Sequence, residues 1–442
     1  MIHLDYTYCL KRKNPSGVSE EELAQTISRL EILNEKLHEN PYPFMRLPFE
    51  KYELYEMKQK ADEIKNGQIE DILLLGIGGS ALGAYAIFNA LLSPYHNYLK
   101  KPRYWILDNI DPLTIKTVAE LLNKEKTILI VISKSGETPE TLTQFMFFFK
   151  LLEDLPDLKN RIVVITDKKR GSLKRIADEE RLFTLSVPED VGGRFSVLSP
   201  VGMFPSLLLG LDVESILLGA KKMAEHIKGS NGEKNIGLLL CALLYLMDKK
   251  GKKIHVMMPY CDRLYGFSEW FRQLEAESLG KDGKGPTPLL ARGVTDQHSQ
   301  LQLYVGGPKD KFLIFIFAPS IDLPIPMSFP YVDELNYLSG RTFGQLFLSE
   351  FKATKLSASE AGVPVLEIDL DNVSCETIGA LFYLFEMAIV LFGELLGINP
   401  FDQPGVEKGK IYTKAFMGSP SYSDLLSQLK AQEGLEEFKV SF

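Results

Sequence analysis

Thr127-Ile128-Leu129-Ile130-Val131-Ile132-Ser133-Lys134-Ser135-Gly136-Glu137-Thr138 joins an unbroken aliphatic and β-branched run to a short polar loop. An apolar run without polar alternation is what a strand buried on both faces of a parallel sheet requires. The loop then leaves the carboxyl end of that strand, where doubly wound sheets present their ligand crevice. Ser133, Ser135, Gly136 and Thr138 gather hydroxyl and backbone donors around one point, and a helix read over residues 138–152 adds a favourable N-terminal potential for an anion. The same residues also fit a capping box, with Ser135 as N-cap three residues before Thr138. The loop alone does not separate a phosphate cradle from a cap.

Working outward, short apolar runs at residues 72–75, 104–107, 127–132, 161–166 and 182–187 read as strands. Helical patterns follow Ser80, Asp111-Pro112, Thr138 and Gly171-Ser172, which gives the β-α-β rhythm of a doubly wound parallel sheet. A second set follows, with strands at 253–258, 312–317 and 364–368 and helices at 235–249, 263–278 and 377–396. The fold class is therefore α/β, with two doubly wound units rich in parallel strands and flanked by helices. Their expected spans are residues 57–210, the larger unit, and residues 211–400. A helical N-terminal flank over 1–56 and a C-terminal arm over 401–442 are read as lying outside both sheets.

The bulk numbers narrow the function classes. A chain of 442 residues has room for two such units;. Hydrophobic residues at 45% and charged residues at 24% are those of a globular protein rather than a disordered one;. A formal net charge of −8 argues against nucleic acid as partner, although a few local cations can still serve one anionic ligand;. Cys9, Cys241, Cys261 and Cys375 are widely spaced and have no histidine at zinc-ligand spacing, so neither a metal site nor a disulfide framework is expected;. The N-terminus lacks the pattern of a secretory signal, and a cytoplasmic location is expected. Residues 377–396 are apolar enough to suggest a membrane span. Glu386, Glu394, Gly379 and Gly393 within them point instead to a buried core helix, and no membrane partner is expected;.

Two further loops carry chemistry. Gly76-Ile77-Gly78-Gly79-Ser80-Ala81 follows the first strand in the pattern G-x-G-x-x-A, and Asp108 ends the second, which admits a dinucleotide reading;. The physics of that loop, close backbone approach to a phosphate, serves a sugar phosphate equally well, and the glycines also suit a plain tight turn. Loops after the first and third strands of one sheet converge at its carboxyl edge, and the pair favours a single monophosphate. At Val191-Gly192-Gly193-Arg194-Phe195-Ser196 an arginine follows two glycines, so it can aim a permanent charge at a ligand or simply pair with Glu189 or Asp190;.

Asp190-Val191-Gly192-Gly193-Arg194-Phe195-Ser196 and the stretch from Gly397 through Phe401-Asp402-Gln403-Pro404-Gly405-Val406-Glu407-Lys408-Gly409-Lys410 resemble the two signature segments of the glucose-6-phosphate isomerase family. The Gly76–Ser80 and Ser133–Thr138 loops, Glu275-Ala276-Glu277-Ser278-Leu279-Gly280-Lys281 and Thr295-Asp296-Gln297-His298-Ser299 complete a set in family order over most of the chain. The S-K-S-G-E-T form resembles the shorter bacterial branch. The resemblance implies two sugar-isomerase (SIS) domains and the reversible isomerisation of glucose 6-phosphate to fructose 6-phosphate through a cis-enediol(ate). It implies no cofactor and no metal.

By that resemblance Glu277 is the base that moves a proton between C2 and C1, and Arg194 stabilises the enediolate. His298 and Lys410 open the sugar ring. Gln273 and Gln403 contact the substrate, Ser133, Ser135 and Thr138 hold the phosphate, and Gly78 and Ser80 lie beside the sugar. Glu269 and Glu275 share a helix with Glu277, and Lys408 is close to Lys410; pattern alone does not choose among them. In related enzymes the histidine comes from the neighbouring subunit, which implies a homodimer with the active site at the interface. A bifunctional phosphoglucose/phosphomannose isomerase and a non-catalytic sugar-phosphate-binding SIS protein are the alternatives. Joint retention of Glu277, Arg194, His298 and Lys410 speaks against the non-catalytic one.

Overall fold

The computed structural model describes residues 1–50, 52–433 and 440. Met1–Pro400 and Phe401–Phe442 are two compact units. Among its described residues the larger unit holds ten strands: β1 (Ile2–Asp5), β2 (Asp71–Leu75), β3 (Arg103–Leu107), β4 (Thr127–Ser133), β5 (Ile162–Thr166), β6 (Phe183–Ser186), β7 (Ile254–Tyr260), β8 (Thr287–Leu290), β9 (Lys311–Phe317) and β10 (Val365–Leu370).

The first sheet has the order β3-β2-β4-β5-β6 and is parallel throughout. All seven residues of β4 are buried, as a central strand covered on both faces must be;. Leu73, Leu75, Leu129, Val131 and Val164 pack on one face against Phe145, Phe148 and Leu152 of the helix Pro139–Leu152. Each such aliphatic side chain contributes about 1.5–3 kcal/mol by leaving water. The chain leaves β2 for β3 on one side and returns to β4 on the other, so the sheet changes direction between β2 and β4. Leu75 pairs with Val131 there, and the loops beginning at Gly76 and after Ser133 emerge side by side from the carboxyl edge. This is the position at which open α/β sheets hold ligands.

The second sheet has the order β1-β10-β9-β7-β8. Of its four strand pairings one is antiparallel: β1 runs against β10, with Ile2 opposite Leu370, and the rest are parallel. The N-terminal segment is thus not wholly helical, and it does not lie outside both sheets. Four residues of it close an open sheet edge whose partner is more than 360 positions away;.

Two helices tie the sheets together. Tyr265–Leu279, which follows β7, packs on Leu82–Leu91, which follows β2, and Asn89 Oδ1 accepts from the Gly266 amide at 2.8 Å. The apolar helix Cys375–Leu396 is buried over 83% of its most hydrophobic stretch, as a core helix is. It lies close on Val213–Gly229 because a Cβ at Gly379 would fall 1.8 Å from the Ile216 carbonyl oxygen, and one at Gly219 would fall 1.8 Å from that of Glu376. The C-terminal unit contains the helices Glu407–Phe416 and Ser423–Glu433.

Candidate active site

The helix after β4 begins one residue later than the sequence pattern suggests. Pro139 occupies its first position, and Thr138, at φ −69° and ψ 111°, is the extended residue before it. A proline disfavours helical geometry in its predecessor and is itself well suited to the first helical turn. Ser135 is therefore not the N-cap, and the Thr138 side chain makes no capping bond. Its hydroxyl lies 2.9 Å from that of Ser133 instead, while Ser135 Oγ accepts from the Glu137 amide at 3.2 Å. Gly136 turns the loop at φ +65°. Glu137, whose charge would oppose an anion, is directed away: its carboxylate accepts from the Ser172 amide at 2.6 Å and caps the next helix;. Lys134 is half-buried, and burial pulls its ammonium below the usual lysine range;.

Next to this loop, Gly78–Ser80 forms a single tight turn. Gly78 sits at φ +57°, and a Cβ there would meet the Gln273 amide nitrogen at 2.9 Å. A Cβ on Gly79 would fall 2.3 Å from the carbonyl carbon of Gly193 and 2.7 Å from the Arg194 amide nitrogen. The glycines of two separate loops thus press backbone on backbone, and Arg194 is delivered to the edge of the first sheet.

Arg194 is held from several sides. Its Nε donates to Ser278 Oγ at 2.8 Å, Nη1 to Glu277 Oε2 at 3.2 Å and Nη2 to the Pro400 carbonyl at 2.5 Å. Only 2% of its side chain is exposed, against 34% for Glu277, so a fixed cation faces a carboxylate that solvent and a ligand can reach;. The neighbouring acids take other partners: Asp190 binds Arg46 at 2.6 Å, and Glu189 binds Arg170. Gln273, one turn before Glu277, donates to Glu277 Oε1 at 3.1 Å. Its own Oε1 is buried without a partner among the described residues.

The three glutamates of this helix are now distinct. Glu275 is fully buried against His255. Glu269 lies two turns before Glu277; burial pushes its carboxyl above the usual range, Asp108 adds to that, and Arg272 stands 3.9 Å away;. Of the three, Glu277 is the one paired with Arg194.

The structure gathers Gly78, Arg194, Gln273 and Glu277 and sets Ser80 in the same turn, with Ser133, Ser135 and Thr138 in the adjoining loop. It does not bring His298 to them within one chain. Glu277 lies near the C-terminus of a helix that runs back from the carboxyl end of β7, whereas His298 follows the carboxyl end of the neighbouring strand β8, at the opposite end of the strands. His298 is exposed and has no hydrogen-bond partner among the described residues. Gln297 fixes its loop by accepting from Tyr260 and donating to Glu350. Gln403 and Lys410 belong to the C-terminal unit. Lys410 pairs with Glu407 at 2.7 Å, and Lys408 lies over the Tyr412 ring at 5.3 Å. Sequence reasoning missed Ser278 and the Pro400 carbonyl as supports of Arg194. Ser278 adjoins Glu277 and could have been suspected; a backbone carbonyl leaves no trace in the pattern.

Fold and site define a doubly wound α/β protein whose crevice pairs a buried arginine with an accessible carboxylate beside two anion-suited loops. The profile of the phosphoglucose isomerase family matches residues 51–290 and 352–433, with the His298 loop between the two stretches. A glucose-6-phosphate isomerase of Rubrobacter xylanophilus is 42% identical over 95% of this chain and 99% of its own length, and one of Carboxydothermus hydrogenoformans is 38% identical over 90% and 89%. The crystal structure of a hypothetical protein from Thermus thermophilus superposes with a TM-score of 0.85 at 34% identity, covering 95% of this chain and all of that one. A glucose-6-phosphate isomerase structure from Chlamydia trachomatis, at TM-score 0.71 and 22% identity over 86% of this chain and 77% of its own, shares the fold. The chain belongs to the phosphoglucose isomerase family.

Proposed function

We propose that the protein catalyses the reversible isomerisation of glucose 6-phosphate and fructose 6-phosphate through a cis-enediol(ate), as a cytoplasmic enzyme of glycolysis and gluconeogenesis. The observation that carries this reading is the Arg194–Glu277 pair beside Gly78 and Gln273, in a chain of this family. Moving a proton between adjacent carbons needs a base and a stabiliser for the charge that develops on oxygen. Glu277 takes the proton from C2 and returns it to C1. Arg194, already fixed by Ser278 and Pro400, meets the enediolate oxygen without reorganising. Ser133, Ser135 and Thr138 bind the phosphate, with Gly78, Ser80, Gln273 and Gln403 along the sugar, and Lys410 and His298 open the ring. No step requires a metal or a redox cofactor, so turnover persists in chelator.

The same reading makes the enzyme a homodimer in which His298 serves the neighbouring site. Two features support it: Glu277 and His298 lie at opposite ends of the strands of the second sheet, and Ile321, Met327, Tyr331 and Tyr337, in the segment after β9, are solvent-exposed. The SIS domains are taken as residues 57–210 and 211–400. A coupled assay with fructose 6-phosphate tests the activity. Glu277→Gln is expected to retain substrate binding and to lose about 10²–10⁴ in kcat. Near-parental turnover in that variant rejects Glu277 as the base, and mannose 6-phosphate turnover equal to that on glucose 6-phosphate rejects the narrower specificity.

A further inference from the structure

Glu275 and Glu277 stand two positions apart on one helix and therefore point to nearly opposite faces;. The Glu277 carboxylate opens to the cleft. That of Glu275 is fully buried and meets His255 Nδ1 at 2.8 Å; His255, on β7, is also fully buried. The imidazole is enclosed by Phe312 of β9 at 5.6 Å and by Phe392 of the core helix at 6.4 Å. Glu275 Oε2 and His255 Nε2 are buried without any partner among the described residues. Such a pair is a poor source of stability, because burial of two half-satisfied polar groups offsets most of what their hydrogen bond contributes, and an apolar pair of similar volume would hold the same space. Its geometry has a different consequence. Glu275 ties the back of the helix to a sheet strand, while Gln273, Glu277 and Ser278 face Gly78 and Arg194 on the front.

We propose that the His255–Glu275 pair is a positioning element: it sets the rotation of the Tyr265–Leu279 helix about its own axis and so places the Glu277 carboxylate against the reacting carbons. Side-chain ends lie about 5–6 Å from a helix axis, so a roll of about 10° displaces them by about 1 Å. A misplacement of that size can lower a rate by about 10²-fold. Neither residue touches substrate. The phosphate loops belong to the other sheet and do not turn with this helix, so the effect falls on kcat far more than on KM, to which the helix contributes Gln273 alone. This inference rests on the proposed isomerase activity.

The test replaces the pair by apolar residues, His255→Leu with Glu275→Met, beside the single variant Glu275→Gln, which retains an acceptor for the imidazole N–H. Parental turnover of fructose 6-phosphate is measured first, and its absence rejects the isomerase reading itself. Given parental activity, the double variant is expected to melt at or above the parental temperature. Its kcat falls about 10–100-fold with KM within threefold, while Glu275→Gln keeps kcat within about threefold. A stable double variant with parental kcat overturns the proposal, as does a Glu275→Gln variant as impaired as the double. Should the double variant not fold, Glu275→Ala is assayed well below its own melting temperature. A kcat loss there at constant KM supports positioning, and parental kcat overturns it.

Discussion

Replacing Arg194 by lysine separates charge from geometry. The cation remains, but a planar fork that donates to Ser278, Glu277 and the Pro400 carbonyl becomes one ammonium able to serve one of those sites well;. Ser278 is fully buried and the arginine side chain is 2% exposed, so water does not readily replace what is lost on that side. A hydrogen bond to a charged group contributes about 1.5–3 kcal/mol, and loss of two lowers stability by about 3–6 kcal/mol. In the transition state the cost is that of one misplaced oxyanion donor, about 2.7–4 kcal/mol. At about 1.4 kcal/mol per tenfold, kcat should fall by roughly 10²–10³. The assay couples glucose 6-phosphate formation to a dehydrogenase, at a temperature where the variant is folded by circular dichroism. KM should move less than threefold, because the phosphate loops keep their own contacts. A folded lysine variant with kcat within tenfold of the parent would refute the oxyanion role.

Gly79→Ala places a methyl group 2.3 Å from the Gly193 carbonyl carbon, a backbone collision that no rotamer relieves; it should cost about 1–3 kcal/mol in denaturant unfolding and at least about tenfold in kcat, and an unchanged variant would disprove the close approach. Mixing inactive Glu277→Gln and His298→Ala proteins under subunit exchange should restore about a quarter of parental activity, since half of the random dimers carry one intact site in two; no recovery despite exchange would place His298 in its own chain's site. Glu386 is fully buried, neither of its oxygens has a partner among the described residues, and burial holds its carboxyl well above the ordinary value of 4.5. The folded state then keeps a proton that the unfolded chain releases, so this group's contribution is fully present below pH 4.5 and falls by about 1.4 kcal/mol per pH unit above it;. Glu386→Gln abolishes that slope, and its melting temperature relative to the parent should rise from pH 5 to pH 8; a constant difference would show that Glu386 does not titrate in this way.

How legible these features were depends on whether the causing interaction is local. The β4 run could be read because burial on both faces leaves an unbroken apolar segment. Thr287-Pro288-Leu289-Leu290 was not read as a strand, since proline cannot donate to a central ladder; β8 accepts Pro288 because it is the edge strand of its sheet;. Ile2–Asp5 carries no local signal, and its strand state is imposed by β10. The helix starting at Pro139 was misplaced because the hydroxyl residues before it imitate a cap. Periodicity identified the Tyr265–Leu279 helix but not which of its glutamates faces Arg194, for that depends on the packing of the helix between two sheets. Arg194 itself had two acids within five residues. Both are taken by arginines from elsewhere, a competition that no local pattern expresses.

The site treats the two ends of its ligand by different means. In the proposed reaction a phosphate keeps its charge throughout, so the hydroxyls of Ser133, Ser135 and Thr138 and the N-terminus of Pro139–Leu152 would stabilise ground state and transition state alike;. Contacts of that kind set KM and leave kcat nearly unchanged. The proposed enediolate charge exists only transiently, and the group that would meet it is Arg194, buried and fixed by Ser278 and Pro400 before any substrate arrives. Rigidity at Arg194 thus converts into rate, because no orienting work remains to be done when the charge appears. The hydroxyl cradle needs no such constraint. Its helix is entered through a proline, the Ser133 and Thr138 hydroxyls bond to each other and Ser135 Oγ accepts from the Glu137 amide, an arrangement that could exchange partners as a phosphate enters and leaves.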